Sequence, residues 1–422
     1  MDSAILPKIL MFGWEFPPFN SGGLGVACEG LVNGLASLGT QITFVLPKKM
    51  DYDCDACKFV YGHPWVRKER SANGVETIEV DSPLSPYLTS ESYLQEYALY
   101  TNKYIAGGHG VWRRGLVDEA MRYAAEARGI AMDETFDVIH AHDWLSLPAG
   151  LEAKKASGKP LVFQVHATEY DRVGDNCLND DIRAIEKKGL EEADIVVAVS
   201  DYTRRQIINR YDIDPKKIEV VPNAVDHAKY KANFAADFSH LKNNGKKIVL
   251  FVGRLTFQKG PDYFLKAAQK VSRLDPNVMF IFSGAGDMER WLIEESAKLG
   301  IADRVIFAGF LRGNDLARLY RMADLYVMPS VSEPFGITSL EALANGTPIL
   351  VSRQSGVAEM VSHCLKVDFW DTDQIANKIM AVVKYPALRE SLHYNGATEV
   401  RNFTWKKSAQ KCMNVYNRVL RA

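Results

Sequence analysis

The strongest constraint on this chain is a rhythm of short, continuously apolar runs that starts, stops and starts again. In the first half, Lys8-Ile-Leu-Met-Phe, Gln41-Ile-Thr-Phe-Val-Leu, Asp137-Val-Ile-His, Leu161-Val-Phe-Gln-Val and Ile195-Val-Val-Ala-Val alternate with longer stretches of helical pattern. Runs that are apolar at every position suit strands covered on both faces, and such strands belong to a parallel sheet wrapped by helices. The rhythm halts after Val220-Val-Pro-Asn223 and a polar segment, Asp226 to Lys247, follows. It resumes with Ile248-Val-Leu-Phe-Val, Val278-Met-Phe-Ile-Phe, Val305-Ile-Phe-Ala, Leu325-Tyr-Val-Met and Pro348-Ile-Leu-Val. A chain of 422 residues also exceeds one comfortable core. The reading is an α/β protein of two doubly wound, Rossmann-like domains facing a cleft, one over 1–223 and one over 224–403. Residues 404–422 read as a final helix with Thr404 as its N-cap; composition leaves open whether it packs back on the first domain.

In open sheets of this kind ligands sit at the carboxyl ends of the strands, so the motifs found there carry the chemistry. After Leu325-Tyr-Val-Met comes Glu333-Pro-Phe-Gly-Ile-Thr-Ser-Leu-Glu341, which reads as loop and helix start. Gly336 lets the backbone approach a ligand, and the amides of Ile337 and Thr338 are first-turn donors that suit a phosphate. A carboxylate just ahead of such a site, Glu333, suits a neutral hydroxylated group attached to the phosphate, namely a sugar. Glu341 lies further along the helix, placed for a second hydroxylated ring such as a ribose. Gly253-Arg254-Leu-Thr-Phe-Gln-Lys259-Gly260 follows the first strand of the second domain, and its guanidinium and ammonium suit a diphosphate.

The first domain contributes Asn20-Ser-Gly22-Gly23-Leu-Gly25, opening a helix that runs to about Leu38. It suits either a tight strand-to-helix turn or close approach of a diphosphate or sugar. Neither it nor Ser283-Gly-Ala-Gly286-Asp has the glycine spacing of the dinucleotide fingerprint, which disfavours a nicotinamide enzyme. His140-Ala-His142-Asp143-Trp144 ends one strand and Gln164-Val-His166-Ala-Thr-Glu-Tyr-Asp171 the next. His140 and His142 share a strand face; with no further ligand fixed nearby by sequence, hydrogen bonding to a sugar hydroxyl is preferred to metal binding. Trp144 either stacks on a sugar ring or fills core.

Composition narrows the partners. Lys plus Arg (51) nearly balance Asp plus Glu (52), so nucleic acid or an anionic membrane is not expected as the main partner. No apolar stretch reaches the length of a membrane helix and the start lacks a signal peptide's apolar centre, so a cytoplasmic protein is expected. Cys54 and Cys57 have the spacing of half a zinc site without a second half, and reduced thiols are the expected state. Asp51-Tyr-Asp53-Cys-Asp55 reads as a solvated loop, and Tyr93, Tyr97, Tyr100 and Tyr104 as a packed helix face. No metal and no cofactor are expected.

Taken in order, these motifs resemble the retaining GT-B glycosyltransferases, and within them the glycogen and starch synthases, over nearly the whole chain. The resemblance implies a nucleotide-sugar donor and an α-glucan acceptor, with ADP- or UDP-glucose giving up glucose to a chain end. It places Gly22, Gly23 and Gly25 along the donor sugar and diphosphate, Arg254 and Lys259, beside Gly253, on the diphosphate, Glu333 on the glucosyl hydroxyls and Glu341 on the ribose. His166 falls over the glucosyl ring, and His142, Asp143 and Trp144 on the acceptor side. Asn20 departs from the bacterial ADP-glucose pattern, where a lysine precedes the paired glycines. Enzymes on the same scaffold that make sucrose, trehalose or lipid-linked sugars, the nucleotide-sugar 2-epimerases and a non-catalytic glycan-binding protein are the alternatives.

Overall fold

The computed structural model describes residues 6–17, 22–47, 57–62, 66–71, 75–80, 115–175, 177–230 and 245–421, with backbone alone for 57–62, 66–71, 75–80, 228 and 230. Asn20, Cys54, the aspartates at 51, 53 and 55 and the tyrosines at 93, 97, 100 and 104 lie outside the described residues.

Two sheets carry the chain. The first joins β1 (Ile9–Phe12), β2 (Ile42–Leu46), β3 (Cys57–Gly62), β4 (Val66–Ser71), β5 (Val75–Val80), β6 (Val138–His142), β7 (Leu161–Val165), β8 (Ile195–Ala198) and β9 (Ile218–Val220) in the order β3-β4-β5-β2-β1-β6-β7-β8-β9. The second joins β10 (Lys247–Val252), β11 (Val278–Ser283), β12 (Val305–Gly309), β13 (Leu325–Met328), β14 (Ile349–Ser352) and β15 (Leu365–Val367) in the order β12-β11-β10-β13-β14-β15. Every pairing in the second sheet is parallel. In the first, β4 runs antiparallel to β3 and β5, an edge that the apolar rhythm does not announce. Val66-Arg-Lys-Glu-Arg-Ser and Val75-Glu-Thr-Ile-Glu-Val alternate or are mostly polar, the pattern of strands with a wet face, so a search for wholly apolar runs passes over them.

The strands that read as continuous apolar runs are covered on both faces, as those runs require. Leu10, Phe12, Ile139 and Ala141 enter one core layer, while Ile9, Met11 and Val138 enter the opposite one. In the second domain Phe251, Phe264, Phe280 and Phe282 interlock with ring centroids 4.9 to 5.9 Å apart. Each such ring withdrawn from water contributes roughly 1.5–3 kcal/mol.

The closing helix Trp405–Val419, capped by the Thr404 hydroxyl, lies along the first-domain helix Gly23–Ala36. Gly30 and Gly34 make the approach feasible: a Cβ on Gly30 would come within 2.0 Å of the Trp405 ring, and one on Gly34 within 2.6 Å of the Trp405 carbonyl. Further contacts secure the helix to the first sheet, with the Ser408 hydroxyl donating to the Pro222 carbonyl at 2.6 Å and Arg418 paired with Glu219. Among the described residues no helix is long and apolar enough to cross a membrane.

Candidate functional site

The loop after β13 is held in place from two directions. Its backbone is clamped to the segment after β14, where Glu333 N donates to the Gln354 carbonyl and Gly356 N to the Glu333 carbonyl, both at 3.0 Å. Gly336 then turns the chain into the helix Ile337–Ala344 at φ 103°, a left-handed conformation that side chains rarely adopt. A Cβ at that position would also press on Met328 and Val357 at 3.1 Å. Behind it, the Thr338 hydroxyl meets the Tyr326 hydroxyl at 2.8 Å, and the Tyr320 hydroxyl donates to Glu341 Oε2 at 3.2 Å.

The loop after β10 lies against this one. Lys259 Nζ reaches Glu333 Oε2 at 2.5 Å, and the Ser330 hydroxyl donates to the same oxygen at 3.2 Å. Gly260, at φ 65°, leaves no room for a side chain, since a Cβ would sit 2.2 Å from the Pro329 carbonyl oxygen. Arg254 joins through Gln258: Arg254 Nη2 donates to Gln258 Oε1 at 3.0 Å, and Gln258 Nε2 donates to the Ser332 carbonyl at 3.1 Å. Arg254, Lys259, Glu333 and the Gly336–Thr338 helix start, far apart in sequence, therefore converge on one pair of loops.

On the first domain β6 and β7 end side by side. Asp143 takes φ 56° as the helix Asp143–Ser157 begins, and its Oδ1 accepts from the amides of His166 at 2.7 Å and Ala167 at 3.2 Å. Its carboxylate thereby fixes the end of β7. The rings of His140 and His142 stack at 4.5 Å, His142 Nδ1 meets His166 Nε2 at 3.0 Å, and His140 Nδ1 meets the Tyr416 hydroxyl at 2.6 Å. Burial pushes His140 and His166 down to about 3 and His142 well below its ordinary range, so this wall is uncharged at neutral pH. Burial pushes the Asp143 carboxyl the other way, up to about 7, against the pull of Arg172 and the two amides.

Two residues expected on the acceptor side are buried. Trp144 is buried among Leu24, Cys28 and Leu145, so of its two possible uses it fills core. Asp143 is 4 % exposed, with one carboxylate oxygen committed to backbone amides. His142 is fully buried behind His166, which is half-buried. The glycine loop is held by the buried Glu15, whose Oε1 accepts from Gly25 N at 2.5 Å; Gly23 is exposed at the helix start, and a Cβ there would lie 3.9 Å from Ile337 of the second domain.

The two halves meet at the Glu333 loop through residues that the sequence reading did not assign. The Ser332 hydroxyl donates to Asp171 Oδ1 at 2.5 Å and meets the Tyr202 hydroxyl at 2.9 Å. The hydroxyls of Ser200 and Thr203 donate to the Pro334 carbonyl at 2.5 and 3.2 Å. Asp171 is itself fixed by a capping box with Thr168, two residues past His166. The loop leaving β7 and the loop carrying Glu333 are thus tied across the cleft. Thr168-x-x-Asp171 was the available signal, since it marks a helix start beside His166.

The comparisons with known proteins agree with this architecture. Residues 21–229 match the model of Glycosyltransferase Family 4, and 233–399 that of Glycosyl transferases group 1. The chain belongs to the GT-B glycosyltransferases of group 1. An uncharacterized glycosyltransferase of Methanocaldococcus jannaschii is 29 % identical over 97 % of both chains. A glycogen synthase of Mycobacterium tuberculosis is 29 % identical over 84 % of this chain and 80 % of its own. A D-inositol 3-phosphate glycosyltransferase of Salinispora arenicola is 33 % identical over 68 % of this chain and 70 % of its own. Among solved structures, sucrose-phosphate synthase of Thermosynechococcus elongatus has the same fold, with a TM-score of 0.74 at 20 % identity over 97 % of this chain and 98 % of that one.

Proposed function

We propose that this glycosyltransferase moves glucose from ADP- or UDP-glucose to the non-reducing end of an α-1,4-glucan, with retention and without a metal. The observation that carries the reading is the Lys259–Glu333 pair at 2.5 Å, set at the mouth of the Gly336 helix start. Without a donor the ammonium and carboxylate satisfy each other. A diphosphate arriving at the helix start draws Lys259 and Arg254 toward its oxygens and releases the Glu333 carboxylate to accept from the hydroxyls of the sugar. As the glycosidic bond to phosphate breaks, charge grows on the leaving oxygen, where these cations and the first-turn amides stabilise it. The acceptor hydroxyl adds to the anomeric carbon on the face being vacated, and its proton passes to the leaving phosphate oxygen.

A neutral glucan fits the first-domain wall better than an acceptor carrying a phosphate, as the name of the Salinispora relative implies for that protein. The wall histidines are uncharged. The nearby Arg172 is already committed to Glu169 and Glu186. The deciding experiment incubates the protein with ADP-glucose or UDP-glucose, with glycogen, inositol phosphate or no acceptor, and follows nucleotide release and chain growth. Elongation of glycogen supports the proposal. Nucleotide release that rises only with inositol phosphate overturns it.

A further inference from the structure

The histidine wall has a third neighbour that the proposed transfer does not employ. Cys28, from the middle of the helix Gly23–Ala36, lies beside His142 and His166, and one ligand atom from each of the three lies within 4.8 Å of the others. We propose that Cys28, His142 and His166 form a site for a soft divalent transition metal such as zinc, and that filling it silences the enzyme by withdrawing His166 from the donor sugar.

The three ligand atoms lie within reach of one ion, with separations of up to 4.8 Å to close. Zinc–nitrogen bonds of about 2.0–2.1 Å and zinc–sulfur bonds of about 2.3 Å set tetrahedral ligand atoms roughly 3.3–3.7 Å apart. His142 Nδ1 and His166 Nε2 already stand 3.0 Å apart, so a small parting of the rings admits an ion. His142 Nε2 is buried with no hydrogen-bond partner among the described residues, so coordination costs that ring at most its one contact with His166. A thiol and two neutral imidazoles form a donor set that selects zinc, cobalt(II) or copper over magnesium or calcium. On binding, the sulfur–hydrogen bond gives way to a sulfur–metal bond and one proton leaves to solvent. His166, half-buried, is the least buried member of the set.

Metal binding stands independently of the transfer reading; the inhibition rests on it. The test titrates the full chain with cobalt(II), then zinc, and follows the near-ultraviolet thiolate-to-cobalt band beside nucleotide release. The wild type should show the band at one ion per chain, and zinc should abolish it. Cys28→Ala should lose the band, with Cys28→Ser as a second variant should the smaller side chain disturb packing, while a Cys54→Ala/Cys57→Ala protein keeps it. Zinc should slow the wild type at least about tenfold, reversibly with chelator, and Cys28→Ala should be at least about tenfold less sensitive. Absence of the band, or its loss only with Cys54 and Cys57, overturns the site. A band in a protein that turns over no sugar nucleotide, metal-free, leaves the site standing and overturns the transferase reading. Equal zinc sensitivity of wild type and Cys28→Ala overturns the inhibition.

Discussion

The two walls of the cleft handle charge in opposite ways. On the second domain, Lys259 and Glu333 pair at 2.5 Å with side-chain exposures of 21 % and 9 %, each compensating the other. On the first, His140 and His142 are stacked and buried, the half-buried His166 stands beside them, and desolvation holds all three neutral. Chemistry follows depth. Ionic groups near the mouth can exchange partners when a charged ligand enters, whereas groups sealed in the sheet end keep one state and offer hydrogen bonds of fixed polarity. This difference is why we propose a diphosphate against one wall and a neutral polyol against the other.

The sharpest way to break this contrast is to remove charge from the second-domain wall. Lys259→Ala deletes the cation and leaves Glu333 buried without its ammonium partner; turnover should drop about 100- to 1,000-fold, as when a charge-stabilising donor is lost. Glu333→Gln should lose a similar factor by removing the proposed acceptor for the sugar. Circular dichroism should show an unchanged fold in both, and near-normal rates in either would sink the donor assignment. Gly336→Ala tests the shape of the same wall. Its left-handed backbone and the contacts with Met328 and Val357 should cost about 1–3 kcal/mol. Thermal unfolding should register that loss, and the donor KM should rise as the first-turn amides move.

The second-domain loop and helix start were legible because their parts are contiguous. Glu333-Pro-Phe-Gly-Ile-Thr states the loop, the turn and the helix start within a few residues, and only the partner of Glu333, 74 positions earlier, had to come from the fold. The first-domain wall was legible by residue type alone. His140 owes its bond to Tyr416, 276 residues away, and nothing local to Cys28 points to His142. Trp144 shows the limit clearly, since a tryptophan at a strand end suits a sugar or a core equally until burial decides. The strands β3, β4 and β5 were hidden because charged and polar residues interrupt their sequences, which lack the apolar run that marks the others.

A smaller effect should follow from loosening the tie between the walls. Ser332→Ala removes the hydroxyl that donates to Asp171 and meets Tyr202, a loss worth about 0.5–1.5 kcal/mol. Turnover should fall a few-fold with donor affinity little changed, because the bond holds the walls together and touches no phosphate. A change in donor KM alone would show Ser332 acting within the second domain only.

The smallest expected signal is an absence, and it tests the neutral wall directly. A histidine in water titrates near pH 6.5. His166, held down at about 3, stays unprotonated throughout the range in which the enzyme is assayed. The profile of kcat/KM should therefore show no inflection near 6.5 that vanishes in His166→Gln. The same shift has a stability consequence. Because the folded pKa is depressed, the neutral rings contribute fully above about pH 6.5, and that contribution is lost as the pH falls toward about 3, where the unfolded chain binds protons that the fold excludes. Replacing His140 by Gln should flatten the acid limb of unfolding over that window while leaving the neutral-pH rate close to wild type. An inflection at 6.5 carried by His166 would mean that the ring charges within the cleft, and the division between an ionic wall and a neutral one would fail.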